Sequence, residues 1–300
     1  GQGCCHGGAG QLPPPRQQAC TAVAAALAFA LSPLVLLWSR IAVSDALFSG
    51  TLATALLLFW RCYAAGGRRP WPAWLVLGLA VLAKGPVAVV LAAFSLGLFA
   101  WRQGDRAGLL RLRPWPGLAI TAAVALPWYA LELLVEGRPF WDSFFGYHNL
   151  QRFTAVVNHH LQPWWFFGPV LLVASLPFTP LLLAGLFRAL RPPRTPAAAE
   201  HSLPLFAACW LLAVLLFFTA AATKLPSYWI PATPAAGVLI ALAAQDLARA
   251  PAALRPRLLR LASLALVALL SAGLAASPAW IPWIHEPELP ALPAALLASG

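Results

Sequence analysis

In 300 residues this chain carries 61% hydrophobic side chains, 10% charged ones and a mean hydropathy of +0.75. So much apolar surface cannot be hidden inside a water-soluble domain of this size, so the composition describes an all-α integral membrane protein. The net charge of +11 comes from cations that border apolar runs, with no basic aromatic stripe or nucleic-acid motif. That pattern excludes nucleic acid as a partner and makes membrane lipid the medium.

Taken in chain order, residues 1–18 form a polar, Pro- and Gly-rich leader without the charged and apolar regions of a signal peptide, and are expected to be disordered. Seven apolar runs that could each cross about 30 Å of hydrocarbon follow, at 19–38, 42–62, 114–134, 164–187, 203–222, 228–244 and 258–276. The stretch 71–101 is interrupted by Lys84-Gly85-Pro86 and reads as two shorter helices meeting at a lysine. The expected architecture is a helical bundle of about seven full spans plus this broken pair. Its membrane domain occupies 19–276, and 277–300 form a non-cytoplasmic tail or the start of a further span. The five cysteines show no zinc or redox spacing.

Charge gives the orientation. Of the 20 Lys and Arg residues, 14 fall in four loops at 61–71, 102–113, 188–202 and 246–260, the positive-inside signature of cytoplasmic loops. With Arg16 the split is 15 cations on that side against five on the other, and the acidic residues reverse it, three against six. The opposite face receives Asp45, the Lys84 break, the loop 135–163, the turn 223–227 and the tail, so the uncommon polar residues gather on one side.

Each of these outer features has a bland reading beside a functional one. Asp45 begins a span, where the helix dipole stabilises an anion; it is either an N-terminal cap or a functional carboxylate at the membrane. Lys84 is either a snorkelling lysine or the partner that would relieve the cost of Asp45. Residues 140–153 alternate aromatics with charges and are expected to form an amphipathic helix lying in the interface, anchored by its rings; this accounts for the aromatics and leaves His148, Asn149 and Arg152 unexplained. His159-His160 reads as a solvated pair. Lys224 and Tyr228 stand at a helix entrance, where proline and an interfacial tyrosine also occur for structural reasons.

Four segments in this order carry a resemblance: Arg40 to Asp45; Leu82-Ala83-Lys84-Gly85-Pro86; Phe144-Phe145-Gly146-Tyr147-His148-Asn149-Leu150-Gln151-Arg152-Phe153; and Ala222-Thr223-Lys224-Leu225-Pro226-Ser227-Tyr228. Together they resemble the bacterial aminoarabinose transferase and protein O-mannosyltransferase family, polytopic glycosyltransferases of the GT-C class, over residues 19–245. The resemblance implies transfer of a sugar from a polyprenyl-phosphate donor to a glycolipid or protein acceptor, at the periplasmic face of a bacterial inner membrane. It implies Asp45 and Lys84 as catalytic residues. Lys84 and Lys224, with Arg152 behind them, would bind the donor phosphate, whose negative charge as a leaving group calls for cations. His148 and Tyr228 match positions of a donor pocket associated with a metal; a divalent metal at His148 is the cofactor this would bring, although one His and one Tyr are an incomplete ligand set.

The chain departs from the family at its beginning. Family members start with a further transmembrane helix and an outer loop carrying an Asp-Glu-x-x-Tyr motif, and residues 1–18 hold no acidic residue. With the absence of methionine, this predicts an N-terminally truncated chain that is weakly active or inactive as it stands. Two other readings fit a polytopic bundle with polar breaks: a transporter or flippase of lipid-linked intermediates, and a noncatalytic membrane subunit. A transporter would place its polar residues at the midplane between inverted repeats.

Overall fold

The computed structural model describes residues 15–40, 44–151, 154, 162–191, 203–249 and 255–275; among them there is no strand. The helices are α1 (Pro15–Ala30), α2 (Pro33–Trp38), α3 (Asp45–Ala64), α4 (Trp71–Lys84), α5 (Val87–Gln103), α6 (Arg106–Arg111) and α7 (Pro114–Val135). A π-helical segment, Trp141–Gln151, leads on to α8 (Phe167–Ala174), α9 (Thr179–Leu190) and α10 (Leu203–Ala220). A 3₁₀ helix, Pro226–Ala232, runs into α11 (Thr233–Arg249), and α12 (Arg255–Ala275) follows. The chain divides into a unit of residues 1–250 and a second of 251–300. In the second, α12 carries Arg255, Arg257 and Arg260 at its start.

Four helical segments are long and apolar enough to cross a membrane: Asp45–Ala64, Pro114–Val135, Leu203–Ala220 and Pro226–Arg249. Phe167–Ala174 with Thr179–Leu190 makes a fifth only as a pair bent by 117°. Two of the seven runs read from hydropathy are not straight helices, because proline interrupts them. Pro33 divides the first run into α1 and α2, and Pro177 lies in the bend between α8 and α9, each removing an amide donor. Side chains take up the carbonyls that the breaks release. Ser32 Oγ donates to the Ala174 carbonyl at 2.5 Å and Thr179 Oγ1 to that of Leu172 at 2.7 Å, so the two breaks are tied to each other. The helix α1 also begins at Pro15, a residue preorganised for a first turn, rather than at residue 19.

In the first unit α3 packs on α4, α4 on α7, α5 on α10, and α11 on α1, α9 and α10. Apolar on nearly every side, α10 is buried along half of its length, as a helix hydrophobic all round must be. Its Phe206 meets Phe99 edge to face at 5.3 Å, and Phe99 meets Tyr63 in the same way. Where helices touch most closely the contact residue is glycine. A Cβ on Gly237 of α11 would stand 2.7 Å from the Ala25 carbonyl of α1, and one on Gly185 of α9 2.7 Å from that of Leu239. Small residues that let backbones approach are how helices associate without a hydrophobic drive in lipid.

Candidate functional site

Two helix ends meet at the site. Asp45 opens α3 and Lys84 closes α4. Each charge is favoured by the dipole of its own helix, an anion at an N-terminus and a cation at a C-terminus. Because the connection between them returns the chain, α3 and α4 run antiparallel, with Phe59 packed edge to face on Trp74 at 4.7 Å, and the two charges meet as an ion pair. Asp45 is only 8% exposed. A cap alone would leave this carboxylate in water, so the snorkelling-lysine and capping readings give way to an ion pair of a buried carboxylate with a half-buried lysine.

The Lys-Gly-Pro break fixes the position of the lysine. Gly85 takes φ +92°, a conformation open to glycine, and Pro86 then precedes α5. The Gly85 amide donates to the Val81 carbonyl at 2.6 Å, and Tyr129 Oη donates to the same carbonyl at 2.8 Å. Tyr129 thereby anchors the last turn of α4 from α7. Nothing in its surroundings in the sequence separates it from an ordinary interfacial aromatic, and sequence reasoning did not single it out.

The turn 223–227 brings the fourth motif to the same place. Ser49, one turn after Asp45, donates to the Ile230 carbonyl at 3.0 Å and clamps the 3₁₀ helix against α3. Lys84 Nζ then stands 6.0 Å from the Tyr228 ring centroid and 5.8 Å from that of Phe48, within range of cation–π attraction. Tyr228 is stacked on Phe218 at 4.6 Å. Lys224 is buried at 8% exposure and donates to the Ala221 carbonyl at 2.8 Å. A buried ammonium on a carbonyl is a charge kept without a carboxylate, an arrangement that an arriving anion would complete.

The aromatic stretch is placed differently from the expectation. Phe140, Phe144 and Phe145 pack around Tyr129 at 6.4, 5.4 and 5.8 Å, so these rings are held by protein, while Trp141 is exposed. Phe144 and Phe145 belong to a π-helical rather than an α-helical turn, and Phe140 directly precedes it. His148 belongs to the backbone of that segment, its side chain lying outside the described residues, as do Arg152 and His159-His160. Among the described residues no group of three His, Cys, Asp or Glu could hold a metal ion. Tyr228 faces the Lys84 ammonium, and the side chain of His148, the other residue of the expected metal site, lies outside the described residues.

Residues 15–142 match the family described as dolichyl-phosphate-mannose-protein mannosyltransferase. An undecaprenyl phosphate-α-4-amino-4-deoxy-L-arabinose arabinosyl transferase of Erwinia tasmaniensis is 31% identical over 230 residues, which cover 75% of this chain and 40% of that protein. The enzyme of the same description from Pseudomonas aeruginosa is 34% identical over 219 residues, 70% of this chain and 38% of its own length. A crystal structure of ArnT from Cupriavidus metallidurans bound to undecaprenyl phosphate superposes with a TM-score of 0.67 at 24% identity, covering 87% of this chain and 46% of that one. The fold is therefore shared, and the chain spans about two fifths of the length of the relatives it matches.

Proposed function

The chain belongs to the family of the bacterial aminoarabinose transferases and protein mannosyltransferases, and on that premise we propose that it transfers a sugar from a polyprenyl-phosphate donor to a lipid acceptor. The observation that carries this reading is the convergence of Asp45, Lys84 and Tyr228, from three segments far apart in sequence, on one ion pair. The protein is a multi-pass membrane protein. We place the reaction at the periplasmic side of the inner membrane, on the support of the positive-inside charge pattern.

The donor breaks at the bond between the sugar's anomeric carbon and the phosphate oxygen, and the departing phosphate monoester needs cations beside it. We assign that role to Lys224 and Lys84. When the phosphate draws Lys84 towards itself, the Asp45 carboxylate loses its counter-ion and becomes a stronger base. It then accepts the proton of the acceptor hydroxyl as that oxygen bonds to the anomeric carbon, and bonds, charge and proton balance. Tyr228 and Phe48 flank Lys84 with ring faces and hold its ammonium between the two partners.

Binding can be tested on the 300-residue chain itself. In detergent micelles, titration with undecaprenyl phosphate should be weakened about tenfold or more by Lys84→Ala and by Lys224→Ala, each of which removes a charge-assisted contact of about 1.5–3 kcal/mol. Asp45→Asn removes an anion from the site and should leave binding intact or tighter. Unchanged affinity in both lysine variants would overturn the assignment.

A further inference from the structure

The far end of α4 carries a second concentration of cations that the transfer reaction does not use. A cavity of about 480 Å³ opens between the starts of α4 and α7, lined by Gly66, Gly67, Arg68, Arg69, Trp71 and Arg113 together with the adjoining prolines and Trp74. At about 1.5 Å per residue, the 14 residues of α4 put it roughly 20 Å from Lys84. The four basic loops of the sequence include both loops that form it. Among the described residues, Arg68, Arg69 and Arg113 make no ion pair, and no carboxylate lines the cavity.

Helix direction adds to the charge. Gly117 of α7 lies against Trp74, Thr121 Oγ1 donates to the Trp74 carbonyl, and Tyr129 reaches Val81, so α4 and α7 run parallel. Both N-termini therefore turn the positive ends of their dipoles towards the same cavity. Neither helix has an acidic residue in its first turn, and both have proline there. The backbone is built to this shape. Among the described residues the two non-glycine residues with positive φ are Arg69 at +54° and Arg113 at +50°, both on the cavity, in a conformation that side chains avoid unless the surroundings hold it.

The walls are tied together independently of any ligand. Trp74 Nε1 donates to the Leu112 carbonyl at 2.9 Å, and Cys62 Sγ lies 3.2 Å from that of Arg68. A Cβ on Gly67 would stand 2.7 Å from Arg111 Cβ, so the two basic loops touch through a glycine. Arg111 itself is turned away, paired with Asp105 at 2.8 Å. Trp71 and Trp115 are exposed at 54% and 80%, which puts ring edges where a headgroup region would lie.

We propose that this cavity is a binding site for the phosphate headgroup of an anionic phospholipid, at the membrane surface opposite the Asp45–Lys84 pair. The three guanidiniums hold the phosphodiester, favoured by the positive ends of two helix dipoles, and Trp71 and Trp115 lie along the glycerol and upper acyl region. A zwitterionic lipid presents the same phosphate with an ammonium that three arginines repel, so the site discriminates by headgroup charge.

The test uses the delipidated full chain and lipids of identical acyl chains. In native mass spectrometry the parent should retain phosphatidylglycerol over phosphatidylcholine by on the order of tenfold. The variant R68Q/R69Q/R113Q should lose that preference, while R188Q/R191Q/R249Q, which removes the same charge elsewhere, should keep it. Thermal unfolding of the parent needs no variant, and should shift upward with phosphatidylglycerol but not with phosphatidylcholine or inorganic phosphate. R68Q, at a position with ordinary backbone geometry, should show a partial loss even if the triple variant does not fold. Equal retention of the two lipids by the parent, equal loss in both triple variants, or an equal shift with inorganic phosphate would overturn the proposal.

Discussion

Asp45 and Lys84 can be weighed against each other by a double-mutant cycle of Asp45→Asn, Lys84→Gln and the double variant. Two unit charges about 4 Å apart at an effective dielectric of about 20 attract by about 4 kcal/mol. The side chains of Lys84 and Asp45 are 31% and 11% exposed, so water reaches the lysine, and screening reduces the expected coupling to roughly 2 kcal/mol. Lys84→Gln leaves the Asp45 carboxylate buried without its partner, which costs more than the pair contributes, whereas Asp45→Asn leaves a lysine that water reaches. The double variant should therefore be more stable than the sum of the two losses predicts. Equilibrium unfolding in mixed micelles with rising SDS fraction measures all four proteins on one scale. Effects that add to within about 0.5 kcal/mol would mean that the two residues do not interact, and would remove the structural basis of the site.

Three further outcomes follow from particular contacts. Tyr129→Phe removes the hydroxyl bound to the Val81 carbonyl and should cost about 1 kcal/mol in the same unfolding assay; no loss would mean that the α4 end is held by Gly85 alone. Gly237→Val forces carbon against the Ala25 carbonyl and should destabilise by about 1–3 kcal/mol. By contrast Gly97→Ala, whose added carbon meets nothing within 4 Å, should stabilise α5 by up to about 1 kcal/mol, and equal effects of the two would refute the packing argument. The hydrogen bond from Tyr63, aided by the Gly108 amide and Arg111, holds the Asp105 carboxyl below its ordinary range against some desolvation. Its stabilisation is thus complete above the unfolded-state value of about 3.9 and disappears as pH falls through the lower folded-state value. The stability gap between the parent and Asp105→Asn should be flat near neutral pH and close only in that acidic window; a gap that closes between pH 6 and 8 would contradict the assignment.

Much of the membrane character was legible in the chain because it is additive. Apolar composition, the loops rich in arginine and the Lys84-Gly85-Pro86 break each act locally, and the break stands where the sequence puts it, with Gly85 in a conformation that other residues avoid. The pairing of Asp45 with Lys84 was also anticipated, since each charge alone is costly at a membrane and the other is the available relief. Hydropathy could not distinguish a straight span from a bent one. The runs holding Pro33 and Pro177 have the composition of spans, and only the fit of Ser32 and Thr179 to the released carbonyls lets them turn. Nor could periodicity show that Phe140, Phe144 and Phe145 face Tyr129 instead of lipid, because an aromatic suits either surface.

The sequence by itself determined the membrane class and the four motifs with their order. Tertiary structure alone decided that α4 and α7 run parallel, that the Tyr228 ring lies beside Lys84, and that Arg68, Arg69 and Arg113 share one cavity. The physical reason is range. Hydropathy, helix dipoles and backbone breaks are properties of neighbouring residues, whereas Asp45 and Tyr228 are joined only through helix contacts across most of the fold, set by which glycines allow approach and which hydroxyls find a carbonyl.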